Sequence, residues 1–550
     1  MKNQSLMDSL DLSAIAHQAM IDAGFVPDVP PSVLADLRSL ESQRQTAVAD
    51  SSARDLRSLL WSSIDDRKSR DLDQVEYAER LPNGDICVRV GIANVDALVQ
   101  KGSAIDAYAA ENGTSVYTGV RTFPMLPEQL STDMTSLVGG ADRSSIVTEV
   151  IVTPDGTVKS TDVYPALLHN YAKLSYEAVG AWLDYTGPIP PEVASVPKMD
   201  AQIRLQFEAA QHLRELRREH GALELETIQA SPVINDNGQV TELSVVERNS
   251  ARDLIENFMI AANVAMAQFL NAKGALSLRR VVRTPEHWDR IVEIANELGE
   301  QLPPHPDSRA LADFLARRKT ADPQHFPDLS LSIIKLLGPG EYTVQTPGTS
   351  GEQSVHFGLA VHDYTHSTAP NRRYADLVSQ RLVKAVLQKG AGPYTEAELT
   401  SIAGQCTERE DAARKVERKM RKVAAAVLMQ KRIGEVFDAI VTGVSPKGTF
   451  ARLIRPPVDG RIVRGEQGLR VGEKISVKLL DTNPQRGFID FGRVGGRSPG
   501  DSFVDSLSTG TGKVLSSNRS CDESHYRLLK SFVDIRTCGN LRRQLGESPH

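Results

Sequence analysis

The sequence predicts an α+β chain that ends in a small all-β domain, and three observations carry the prediction. Hairpin signals recur between residues 53 and 165. Helical periodicity governs several later stretches. A glycine-punctuated block of extended pattern fills residues 433–493. At 550 residues the chain has room for roughly two to four domains and at least one large core.

Leu10, Ile15, Ala19 and Met20, then Val33, Leu34, Leu37 and Leu40, fall at helical spacing, with Pro30-Pro31 between the two sets. Residues 1–52 are therefore read as a short helical segment, acidic at three Lys/Arg against seven Asp/Glu. Residues 53–125 are read as β-rich, with a hairpin turn at Pro82-Asn83-Gly84-Asp85 before the strand Ile86–Ile92. Residues 145–165 repeat that pattern around Pro154-Asp155-Gly156, and 170–220 read as helices. A strand pair is expected over 222–246 around Asn235-Asp236-Asn237-Gly238, and helices over 252–273 and 405–432. Gly434, Gly443, Gly448, Gly460, Gly468, Gly472 and Gly487 punctuate the block 433–493, and residues 431–493 carry twelve Lys/Arg against seven Asp/Glu. The Ser/Gly-rich stretch 494–550 is expected to be mostly disordered, with at most a short helix near 526–534.

The net charge of −6 excludes a basic nucleic-acid coat but leaves room for a local basic channel. Cys87, Cys406, Cys521 and Cys538 form no CxxC pair and have no His cluster near them, so neither a disulfide framework nor a zinc site is expected, and a reducing cytoplasm fits. The first residues have no basic stretch followed by an apolar one, and runs such as Ala424–Met429 are too short to span a bilayer; no membrane association is expected.

The sharpest local motif is Ser63-Ile64-Asp65-Asp66-Arg67-Lys68-Ser69-Arg70-Asp71-Leu72-Asp73-Gln74. On an extended segment Asp71 and Asp73 face the same side, and Asp65 can return to them through a loop. Hard divalent cations take such oxygen ligands. On this motif alone, a solvated loop neutralised by Arg67, Lys68 and Arg70 is an equal reading.

The stretch resembles the opening of the RNB catalytic domain of ribonuclease II-type exoribonucleases, in which an Asp is followed six residues later by Asp-x-Asp-Asp. Asp65, Asp71 and Asp73 match three of those acids, and Gln74 stands at the fourth. Further blocks resemble the same family in order: Gly113–Tyr117 with Pro124–Ser131, Ala172–Tyr176, Leu254–Asn263, and His356–Leu359 with Tyr364–Leu377. The resemblance covers about residues 53–425 and implies a mixed sheet surrounded by helices. Ile433–Phe450 is similar to the OB-type barrel that follows the catalytic domain in this family. The domain reading is thus 1–52 helical segment, 53–430 catalytic domain, 431–493 OB barrel and 494–550 tail. About 50 residues precede the resemblance, so the two cold-shock-type barrels of larger relatives are expected to be missing.

The resemblance implies 3′→5′ hydrolysis of single-stranded RNA to nucleoside 5′-monophosphates, with Mg²⁺ or alternatively Mn²⁺. Asp65, Asp71, Asp73 and Gln74 would hold the metal, with Asp73 the indispensable acid. Arg372 would stabilise charge at the scissile phosphate, and its neighbour Arg373 would bind RNA. Glu256 and Glu417 would lie near the 3′-terminal nucleotides, although Glu417 equally suits an i,i+4 salt bridge on its helix. Tyr117 and Tyr176 match aromatics that stack bases, while Leu225 falls where another aromatic is expected. Phe437 and Phe450 are candidates for an RNA platform on the barrel, and Phe437 suits barrel core equally well. Gln74, Leu225 and Ala369, which replaces a usual Ser, motivate an alternative: a catalytically weakened RNA-binding or regulatory protein. A generic small-substrate hydrolase ranks below both, since no G-x-x-x-x-G-K-[ST] loop occurs.

Overall fold

A computed structural model describes residues 10–43, 52–228, 230–235, 240–245, 248–348, 355–446 and 448–495. The expected tail beyond 495 and the turn at 236–239 lie outside the described residues, as do Cys521 and Cys538. Cys87 and Cys406 are free and buried. The described residues form two compact units, those within 1–228 and 246–420 and those within 229–245 and 421–495.

In the first unit the helices Leu12–Asp22 and Pro31–Gln43 come first, as the spacing predicted. A six-stranded mixed sheet follows. Its strands are β1 (Arg54–Asp55), β2 (Trp61–Asp65), β3 (Gln74–Arg80), β4 (Ile86–Ala93), β7 (Asp142–Val152) and β8 (Val158–Ser175), in the order β1-β8-β2-β3-β4-β7. The short pair β5 (Val116–Tyr117) and β6 (Thr122–Phe123) stands apart. The β3–β4 hairpin turns where Asn-Gly predicted it, with Gly84 at φ 90° and Asn83 bonded to Asp85. At the β7–β8 turn Gly156 (φ 84°) lies so close to the helix Met199–Glu219 that an added Cβ would stand 2.1 Å from the His212 carbonyl oxygen.

Two expectations need correction. The segment 53–125 also contains a helix, Ala104–Asn112, whose alternation of small and polar residues gives a weak pattern. Residues 170–175 are strand and not helix, because β8 is 18 residues long. Its first part pairs with β7 antiparallel, and its last part pairs with β2 in parallel from Trp61↔Asn170 to Asp65↔Ser175. Thus β8 joins both edges of the sheet and delivers Tyr176 beside Asp65.

The sheet is covered on both faces. Trp61, Leu72, Val75, Val147 and Leu168 pack with Leu377 and Val378 of the helix Tyr374–Leu387. Ile64, Ala78, Val88, Val90 and Val150 pack with Ile203 of Met199–Glu219 and with Leu254 and Phe258 of the helix Ser250–Ala272. The polar side chain of Gln202 completes β3, exchanging hydrogen bonds with the main chain of Ala78 at 2.6 and 2.9 Å. A separate apolar cluster joins the helices Trp288–Glu297, Ser308–Ala321 and Phe326–Leu337, and Leu225 packs against it. The remaining strands of this unit form two small pairs: β11 (Ser277–Val281) with β12 (Glu341–Gln345), and β13 (Val355–His356) with β14 (Val361–His362).

In the second unit β9 (Ala230–Ile234) and β10 (Val240–Val245) form an antiparallel pair. Five strands close a barrel in the order β15-β16-β17-β19-β18: β15 (Val436–Ser445), β16 (Gly448–Leu453), β17 (Asp459–Arg464), β18 (Lys474–Asn483) and β19 (Phe488–Arg493). Closure removes free edges, as in an OB barrel. The helix Glu396–Gln430 is one continuous element, and its residues from Arg421 on belong to this unit. Leu243, Ala426 and Met429 share the barrel's apolar cluster, so a hairpin from mid-sequence groups here.

Arg381 is 3% exposed and donates to Asp96, Asp106, the Tyr394 hydroxyl and the Val99 carbonyl at 2.7–2.8 Å. Removing one partner of such a buried set strands the carboxylates. Arg381→Ala should lower unfolding free energy by about 3–5 kcal/mol, read from urea denaturation; a loss within experimental error would show that the network contributes nothing net.

Candidate active site

The acid-rich loop between β2 and β3 is tied down by main-chain contacts. Ser136 Oγ donates to the Arg70 carbonyl at 2.6 Å and accepts from Leu72 N at 2.9 Å. Lys173 Nζ donates to the carbonyls of Arg67 and Ser69. Arg70 pairs outward with Glu128, and Asp66 pairs with Arg252 at 2.8 Å. The loop is thus held as a shaped segment, and Arg70 does not neutralise its neighbouring acids.

Asp73 is 2% exposed. Its Oδ1 accepts from Asn371 N at 2.9 Å and its Oδ2 from Arg372 Nε at 3.2 Å. Burial raises its pKa to about 7, against the opposing pull of Arg372 and the Asn371 amide. The loop that presents Asn371 and Arg372 is itself clamped. Ala369 N and Arg373 Nη2 both donate to the buried Asp376 Oδ1, at 2.8 and 2.7 Å. Ser115 N donates to the Arg372 carbonyl and Tyr374 N to the Gly113 carbonyl, each at 2.9 Å. Asn263, on Ser250–Ala272, accepts from both Ser367 N and Ser367 Oγ.

Tyr117 is 42% exposed. Its hydroxyl donates to Asp71 Oδ2 at 2.9 Å and its main-chain N donates to Glu417 Oε1 at 3.1 Å. Tyr117, Arg372, Arg373 and Glu417 line one cavity of about 230 Å³, together with Tyr342 and Arg414. Asp71, Asp73, Tyr117, Arg372, Arg373 and Glu417 therefore form one group. Asp65 and Gln74 lie beside it: Gln74 Nε2 donates to Asp65 Oδ1 at 3.4 Å, and burial raises the Asp65 pKa to about 6. Tyr176 carries the Arg252 guanidinium over its ring at 4.3 Å, so one ring face is already covered. Glu256 lies one turn after Arg252 on the same helix and pairs with Arg248 at 3.3 Å.

On the barrel, Phe450 is 39% exposed but Phe437 is only 6% exposed. Phe437 points inward because β15 alternates exposed Val436 and Asp438 with buried Phe437 and Ala439; it is a core residue, capped by Arg432, and not a platform aromatic.

A divalent cation was expected on Asp65, Asp71, Asp73 and Gln74. Among the described residues no three Asp, Glu, His or Cys side chains converge closely enough to hold a metal ion. The donor chemistry nevertheless suits a hard cation, since Asp65 Oδ2 is buried without a hydrogen-bond partner. Sequence reasoning missed Tyr342 and Arg414, which reach the cavity from segments without a motif. It also missed Glu76, which two-residue periodicity from Gln74 could have flagged.

Residues 53–389 match the RNB domain model, and residues 435–494 match the RNase II-type exonuclease C-terminal S1 domain. The chain belongs to the RNB-domain family. Among curated relatives, Ribonuclease R of Thermotoga maritima is 30% identical over 466 residues, covering 80% of this chain and 64% of that one. The chain spans 64% of that relative's length and 57% of the length of Ribonuclease R of Escherichia coli (strain K12). Among solved structures, Mycoplasma genitalium RNase R in complex with ribose methylated single-stranded RNA superposes at TM-score 0.76 and 22% identity, covering 88% of this chain and 78% of that one. A yeast pseudonuclease gives 0.63 at 16% identity, with 82% and 56% covered. Both likenesses are of fold, which does not by itself fix the chemistry of a site.

A carboxyl whose pKa is raised on folding gives stability that is complete below its unfolded pKa and is lost as pH rises through the folded value. For Asp73 the window runs from about 4 to about 7. Metal-free protein should therefore lose thermal stability between pH 5 and pH 8 more steeply than Asp73→Asn does. Parallel melting-temperature slopes for the two proteins would show that Asp73 is not the group that titrates.

Proposed function

We propose that this protein is a 3′→5′ exoribonuclease that hydrolyses single-stranded RNA to nucleoside 5′-monophosphates. The observation that carries the reading is the pairing of buried Asp73 with Arg372 beside a cavity lined by Tyr117 and Glu417. Family membership supports it, as does the RNA-bound relative. In the proposal residues 53–430 carry catalysis, residues 431–493 form an RNA-binding barrel, residues 1–52 are a helical segment and 494–550 a tail.

The 3′-terminal base stacks on the exposed ring of Tyr117, which is sequence-tolerant because every base has a π face. Glu417, which accepts from Tyr117 N, receives the ribose 2′-hydroxyl, which distinguishes RNA from DNA. Arg372 spends one N–H on Asp73, and its remaining donors take a phosphate oxygen whose charge grows during displacement. Arg373 stabilises the loop through Asp376 and adds positive potential to the cavity. Asp73 orients Arg372 and, once ionised, accepts a proton from the attacking water. Glu256 and Tyr176 flank the path of the preceding nucleotides, and Phe450 on the basic barrel offers a stacking surface.

A divalent cation, Mg²⁺ by preference and Mn²⁺ as a substitute, would draw Asp65, Asp71, Asp73 and Gln74 together as its ligands and would supply Lewis-acid polarisation of the phosphate oxygens. Gln74 contributes an oxygen without charge. That amide, and the fold likeness to a pseudonuclease, support a second reading: an RNA-binding protein with weakened hydrolysis. Incubating purified protein with 5′-labelled single-stranded RNA and Mg²⁺ separates the two. A ladder or a short end product supports the nuclease, whereas intact RNA with a gel shift supports the alternative.

Asp73→Asn should abolish hydrolysis and leave RNA affinity within a few-fold, measured by single-turnover cleavage and filter binding. Arg372→Ala should reduce kcat far more than affinity, by about a hundredfold or more, with Arg372→Lys recovering part. Equal losses of binding and turnover would mark Arg372 as an ordinary phosphate clamp.

A further inference from the structure

Alternation along β3 sends Val75 and Tyr77 into the core beneath Tyr374–Leu387 and sends Gln74, Glu76 and Ala78 to the opposite face, under Met199–Glu219. Glu76 is fully buried there, and neither of its carboxylate oxygens has a hydrogen-bond partner. A buried acid without donors is costly, and the groups around it deepen the deficit. Ser62 stands opposite Glu76 in the β2–β3 register, and its Oγ is also unpartnered. Gln206 donates to the Glu76 main-chain carbonyl at 3.3 Å and leaves its own Oε1 without a donor. Asp65 has one oxygen on the Gln74 amide and its Oδ2 unpartnered.

Four residues thus bring five buried oxygens without a partner, and the Ser62 hydroxyl carries the single hydrogen among them. One shared proton would satisfy a single pair. A hard cation satisfies several oxygens at once, and Mg²⁺ or Mn²⁺ needs only one or two carboxylates among its ligands. We propose that Glu76 is a further carboxylate of the divalent-cation site at Asp65, reached from the helix-covered face of the sheet, with the neutral oxygens of Gln74, Ser62 and Gln206 available to complete the shell. The inference rests on the metal-dependent reading above and adds a residue to it. It also accounts for the neutral side chain at position 74, since the charge stands two residues further along the same strand face.

The test is Mn²⁺ binding by the full chain, followed by calorimetry and by Mn²⁺ paramagnetic resonance, with melting temperatures recorded with and without the ion. Glu76→Gln preserves shape and removes the charge. It should weaken Mn²⁺ binding by about tenfold or more and shrink the Mn²⁺-induced rise in melting temperature. The metal-free melting temperature should stay level or rise, which a residue needed only for packing would not allow. Should the amide variant fail to fold, Glu76→Asp keeps the charge, withdraws it by one methylene, and should still lose Mn²⁺ affinity several-fold. Mn²⁺ affinity equal to wild type in whichever variant folds overturns the proposal, as does a wild type that binds no Mn²⁺. A wild type that binds Mn²⁺ through Glu76 yet leaves RNA intact sustains this inference and defeats the nuclease reading.

Discussion

The site depends on one buried carboxyl group. Asp73 is removed from water, and its carboxylate is held by donors from a loop 298 residues away in sequence. Those donors, Asn371 N and Arg372 Nε, can reach it only because the loop is fixed from three sides: by Asp376 at the start of Tyr374–Leu387, by Asn263 on Ser250–Ala272, and by the Gly113–Ser115 main chain. Each of these contacts is a hydrogen bond to a buried group, so loosening any one costs a buried polar atom a partner. The sheet supplies the other half. β3 starts immediately after Asp73, and Leu72, anchored in the core, fixes the acid's position along the chain.

Much of the frame was legible in the sequence because the governing signals are local. Asn83-Gly84 and Pro154-Asp155-Gly156 mark turns that the chain makes, and the apolar spacing of residues 254–270 is that of the helix it forms. The glycine-punctuated block does close into a five-stranded barrel. The failures were non-local. The parallel pairing of residues 170–175 depends on β2, a hundred residues earlier, and has no local signature. The grouping of 229–245 with the barrel depends on Leu243 entering a core assembled from sequence two hundred residues away.

Within the site, residue types were easier to read than their surroundings. The acids, Arg372 and Tyr117 lie together, but the partners that set their chemistry come from elsewhere: the Tyr117 hydroxyl on Asp71, Asn371 N on Asp73, and Arg252 over the Tyr176 ring. Phe437 shows the limit of composition as a guide. An aromatic in a basic barrel satisfies the description of an RNA platform whether it points outward or inward, and only strand phase distinguishes the two. Glu76 is the converse case, a charged residue that composition would assign to the surface and that strand phase buries.

Tyr117 is fastened at both ends, its main-chain nitrogen to Glu417 and its hydroxyl to Asp71. A ring pinned in this way has given up its rotational freedom during folding, before any ligand arrives. A base that settles on it meets a rigid plane, and ordering that plane subtracts nothing from the free energy of binding. In the proposed reaction the saving would recur for each terminal base that reaches the ring, because every one finds the same surface in the same orientation.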